Sequence, residues 1–165
     1  MKRFNLITVG VVIVVAVVIG GIILAAILSG GSPVVQYKTS DSDKPQLAIG
    51  ETNFDFGRIK LSDIKTQEIE IKNTGDRPLV IYDAITSCDC TLVQFIIGGI
   101  ESRKFSMRRD LSWRGEIAPQ ETATIRLIYQ PSLMPVKGAV RREAVFKTND
   151  PFYLLVNLRF NAIVE

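Results

Sequence analysis

The chain is 165 residues and 18.3 kDa, room for one domain and an accessory segment. Its net charge of +3 includes Lys2 and Arg3, which precede an uncharged run; without them the balance falls to +1, and the pI of 8.9 does not point to a nucleic-acid partner. There is no histidine, which removes the commonest general base, the histidine-paired nucleophiles and imidazole-ligated metal sites.

Residues 1–5 read as a short cytoplasmic N-terminus. Leu6 to Leu28 are 23 uncharged residues, sixteen of them Val, Ile or Leu. As a helix they would reach about 34 Å, enough to cross a bilayer. A cleaved signal peptide is the alternative; its apolar core is shorter, and Ser29-Gly30-Gly31 is a weak cleavage site. Lys2 and Arg3 against a neutral far flank place the N-terminus inside and the rest outside, in the periplasm or extracellular space. Ala16, Gly20, Gly21 and Ala25 recur at four-residue spacing, a small-residue face through which two such helices could approach as a homodimer.

Residues 29–45 are small and polar and read as a flexible tether. From 46 to 165 the apolar residues alternate. Ile69 and Ile71 share one face of 65–73, and Ala123, Ile125, Leu127 and Tyr129 one face of 122–130. In the last strand Leu154, Val156, Leu158, Phe160, Ala162 and Val164 lie together. Further strands are expected over 47–56, 79–85, 91–97 and 139–148, bounded by Gly57, Asn73-Thr74-Gly75-Asp76, Pro119 and Asn149-Asp150-Pro151. The reading is all-β: an immunoglobulin-like sandwich of about seven strands, preceded by one transmembrane helix.

One stretch breaks the rhythm. Residues 98–115 carry Arg103, Lys104, Arg108, Arg109 and Arg114 against Glu101 and Asp110, with Phe105 and the sole tryptophan, Trp113. They read as an inserted hairpin or loop. Its cations and rings could dock a partner, or the two rings could pack on the sandwich.

Phe54-Asp55-Phe56-Gly57, Lys72-Asn73-Thr74-Gly75, Pro78-Leu79-Val80-Ile81, Ser87-Cys88-Asp89-Cys90-Thr91, Ile117-Ala118-Pro119 and Lys147-Thr148-Asn149-Asp150-Pro151 occur in an order that resembles a bacterial family known only as domain of unknown function 1573. The resemblance implies an extracytoplasmic immunoglobulin-like sandwich and no established activity. Asp89 stands where the family usually has glycine, as does Gln120 after the proline, and the 98–115 insertion is longer than that pattern.

Cys88 and Cys90 are the only cysteines. On a regular strand their side chains would splay too far for an unstrained bridge, although a bend at Asp89, which tolerates left-handed backbone, could bring them together. An internal or intermolecular disulfide, a packed pair of thiols, and a two-coordinate Cu(I) site with Met107 or Met134 as extra ligands are all open. Asp55, Asp83, Asp89, Glu121 and Asp150 sit at strand ends and turns, where carboxylates ordinarily accept bonds from backbone amides, so no catalytic set is assigned. The functional expectation is a non-catalytic, membrane-anchored binding or scaffolding module with a protein partner in an envelope assembly. The alternative is a thiol-based copper or redox accessory protein using Cys88 and Cys90.

Overall fold

The computed structural model describes residues 6–29 and 33–165, the side chains of the first segment only from Gly10 to Gly21. Residues 1–5, expected to be cytoplasmic, lie outside it. The chain divides into two units, 1–33 and 34–165. The backbone of the first is helical over α1 (Leu6–Ser29). Among the described residues no helix is long and apolar enough to cross a membrane, so the transmembrane span expected at 6–28 goes beyond what they carry. Ala16, Gly20 and Gly21 lie on α1, while the side chain of Ala25 is outside the described residues.

The second unit is a sandwich of two five-stranded sheets. Its strands are β1 (Leu47–Ile49), β2 (Asn53–Ile59), β3 (Lys65–Asn73), β4 (Leu79–Thr86), β5 (Thr91–Ile97), β6 (Ile100–Glu101), β7 (Arg114–Ile117), β8 (Thr122–Tyr129), β9 (Gly138–Thr148) and β10 (Leu155–Val164). One sheet runs β1-β3-β8-β5-β6 and the other β2-β10-β9-β4-β7. Ten strands replace the expected seven for two reasons. The expected strand over 47–56 divides at Gly50-Glu51-Thr52, its halves joining different sheets, and the insertion supplies β6 and β7. β2 pairs parallel with β10, whereas the other pairings are antiparallel.

Alternation does the sorting. In β10, Val156, Leu158, Phe160, Ala162 and Val164 turn into the core while Asn161 and Ile163 stay out. Leu154, expected on that inner face, precedes the strand and is exposed. Phe160 packs on Phe56 and Tyr129, with ring centroids 4.6 and 4.9 Å away.

The expected tether is partly laid on the sandwich. Gln36 Nε2 donates to the Tyr82 hydroxyl, Thr74 N to the Gln46 carbonyl and Asp76 N to the Lys44 carbonyl. Gly75 permits this approach, because a Cβ there would collide with the backbone of Lys44, Pro45 and Gln46.

Candidate functional site

The turn residues of the alternating frame are committed to backbone. The Asn73 amide donates to the carbonyls of Arg77 (2.8 Å) and Ile117 (3.0 Å), while its oxygen accepts from Gly75 N. Asn149 accepts from Val80 N (2.8 Å) and donates to the Pro78 carbonyl. Asp150 accepts from Leu47 N (2.7 Å) through one oxygen and from Phe152 N (2.9 Å) through the other. Asp55 accepts from Gly57 N. The buried ones among these backbone groups, Leu47 N foremost, would otherwise cost about 1–3 kcal/mol each. The carboxylates weighed as an acid/base set are thereby dispersed: Asp55 and Asp150 cap turns, and Asp89 and Glu121 are exposed.

Cys88 and Cys90 lie in the turn between β4 and β5, not on a strand, and are joined by a disulfide with their Cα atoms 5.2 Å apart. That removes the splay a regular strand imposes. Left-handed backbone falls instead at Asp83 (φ 54°) and Gln120 (φ 65°), the only non-glycine residues so placed among those described; Asp89 does not need it. The turn is tied to both sheets. Ser87 N donates to the Glu143 carbonyl on β9, Gln130 N donates to the Cys90 carbonyl, and the Thr86 hydroxyl lies 2.8 Å from the carbonyls of Cys88 and Thr91. Cys90 is fully buried and Cys88 nearly so. With their sulfurs joined, the two residues hold no thiolate pair to which Met107 or Met134 could add; both methionines are exposed.

The insertion splits by side chain. Phe105 is buried, bonded through its backbone to Val93 (2.8 and 3.0 Å), and its ring lies 5.9 Å from Phe95 and 4.8 Å from Trp113. Trp113 stacks on Phe95 at 5.2 Å. The two aromatics of the basic stretch thus pack at the seam between the sheets, the second of the two uses weighed for them. The neighbouring cations are not equivalent. Arg109 forms a two-pronged bond with Asp83 (both 2.5 Å), which also pairs with Lys147 at 2.8 Å. Asp83 is only 3% exposed, and the Arg109 bond, opposed by desolvation and aided by Lys147, lowers its pKa to about 2. Arg103 pairs with Asp110 and lies over the Phe105 ring at 5.1 Å. Arg103, Lys104, Arg108 and Arg109 with Ser106 and Asp110 line an open polar hollow. Arg114 begins β7, opposite Tyr82.

Asp83, weighed with the carboxylates of strand ends and turns, lies instead inside β4 and pairs with side chains, a pairing that sequence reading misses because Arg109 and Lys147 lie far from it along the chain. Its signal is indirect: a carboxylate inside an otherwise apolar strand.

Residues 47–102 match the model of a family described as a protein of unknown function (DUF1573). Among solved structures, a protein of unknown function from Porphyromonas gingivalis W83 is similar at 19% identity and a TM-score of 0.55, over 74% of this chain and 48% of that one. The present chain therefore spans about half the length of that relative. The ASH / PapD-like domain 7 of human CEP192 is similar at 10% identity and a TM-score of 0.51, over 82% of this chain and 96% of that domain. A family 123 glycoside hydrolase from Clostridium perfringens shares the fold at 7% identity and a TM-score of 0.50, over 73% of this chain and 27% of the enzyme. No curated protein matches the sequence. At these identities the likeness is one of fold, an immunoglobulin-like β-sandwich.

Proposed function

We propose that the chain is a membrane-anchored, extracytoplasmic immunoglobulin-like module that binds or scaffolds a protein partner in an envelope assembly and does no chemistry of its own. Residues 6–28 anchor it, residues 1–5 remain cytoplasmic, and the face of Ala16, Gly20, Gly21 and Ala25 allows a homodimer. The observation carrying this reading is the division of labour in the insertion. Its rings are used inside, while Lys104 and Arg108 are exposed on a hollow already bordered by Arg103 and Arg109. Such a basic surface, tied to the sandwich through Arg109 and Asp83, fits an acidic segment of a partner.

The test is purification of the full chain from its native membrane in mild detergent, beside a Lys104→Glu, Arg108→Glu variant. One envelope protein should accompany the parent and be depleted about tenfold or more with the variant, the scale of two lost charge contacts. Equal recovery with both would overturn the basic surface as the docking site.

The paired sulfurs favour one competing reading, a redox or copper accessory role entered by reduction of the bridge. Cys88→Ser with Cys90→Ser separates the two: partner recovery persists if the bridge is structural. Stoichiometric copper on the reduced parent, lost in that variant, would favour the competitor.

A further inference from the structure

We propose that the tip joining β9 to β10, Phe152-Tyr153-Leu154-Leu155, inserts shallowly into the lipid interface, an inference that rests on the anchored reading above. These four consecutive residues are 62, 45, 51 and 60% exposed. Single exposed leucines are ordinary; a run of four large apolar side chains on one tip is not.

The tip is built, not loose. Phe152 N donates to an Asp150 carboxylate oxygen and Tyr153 N to the Asp150 carbonyl (3.1 Å). The Thr148 hydroxyl donates to the Tyr153 carbonyl (2.6 Å), and Thr148 N to the Leu154 carbonyl (3.2 Å). Four backbone groups of the tip are therefore satisfied from within, which lipid requires and water does not. Its outward chemistry is interfacial: two aromatics, one carrying a hydroxyl, two leucines, and the Lys44 ammonium 5.9 Å from the Phe152 ring centre.

Position selects lipid over another occupant. Leu47 N bonds Asp150, so the chain following the apolar run enters its first strand beside this tip, 19 residues after Leu28. A second exposed apolar group, Leu133, Met134 and Val136, precedes β9. It lies at the other end of the β9–β10 ladder, which runs from Leu155 opposite Lys147 to Val164 opposite Gly138, a distance of about 30 Å.

The experiment places the full-length chain in dioleoylphosphatidylcholine vesicles with plain or dibrominated acyl chains and reads tryptophan fluorescence. Trp113 is kept, and the parent gives its baseline. Leu154→Trp should add a component quenched about twofold by bromine, while Leu133→Trp should behave as the parent. Leu154 and Leu133 are exposed, so neither change disturbs the core. Adding Phe152→Ser and Leu155→Ser to Leu154→Trp should abolish the quenching without releasing the chain. A Leu154→Trp component no more quenched than the Leu133→Trp one, in chain that resists carbonate extraction, overturns the lipid contact and leaves the anchor standing. Extraction of every variant by carbonate overturns the anchor and the lipid contact with it.

Discussion

β10 and the 98–115 insertion both bury aromatic side chains in the same core, yet by different routes. In β10 the period of two is unbroken, and each inward residue is named by its position in the alternation. In the insertion Phe105 and Trp113 sit among five cations with no period, and they reach the core because the segment crosses from β6 in one sheet to β7 in the other. A basic, aperiodic stretch can thus be half structural. Composition identifies the solvated half and hides the other.

The sharpest way to break this comparison is to truncate one ring in each region. Phe160→Ala and Phe105→Ala should each cost about 3–5 kcal/mol in equilibrium unfolding, since both rings are buried against other aromatics. Arg108→Ala should stay within about 0.5 kcal/mol. If Phe105→Ala were as mild as Arg108→Ala, the insertion would be an appendage.

A smaller effect should come from Asp83, the charge that ties the insertion to β4 and β9. Its folded pKa of about 2 lies below the ordinary 3.8. The contribution is therefore complete above about pH 4 and is lost as pH falls toward 2, amounting to about 2 kcal/mol in a stability profile against pH. Asp83→Asn should flatten that part of the profile. An unchanged slope would mean that the pair does not couple insertion to sheet.

The smallest effect tests the turns of the regular frame. Gln120→Gly should relieve the left-handed backbone at φ 65° but lose the side-chain bonds to the Thr74 and Gly75 carbonyls, leaving thermal stability within about 0.5–1 kcal/mol of the parent. A loss well beyond that would make the side-chain bonds, not the backbone, the reason for glutamine.

The strands were legible because burial writes itself into local order. β3 and β5 occupy the limits their alternation predicts, 65–73 and 91–97, and β4 and β9 differ from theirs by one residue. Pairing was less legible: nothing local announces that 47–56 divides between two sheets, because a crossover depends on what waits on the far side. The same holds for the candidate site. Arg103, Lys104, Arg108 and Arg109 could be singled out by charge, but only the fold shows that Arg109, exposed like Arg108, is tied to Asp83.

By itself, then, the sequence determined that residues 46–165 would form an all-β sandwich, which inner faces would be buried in β3, β8 and β10, and that turns would fall at Asn73–Asp76 and Asn149–Pro151. Alternation and turn chemistry act over a few residues and need no partner to be read. Tertiary structure alone decided the parallel β2–β10 pairing, the packing of Phe105 and Trp113 on Phe95, and the contact of Asp83 with Arg109 and Lys147. Each depends on groups distant in the chain meeting in space, where distance and burial, not local pattern, set the energy.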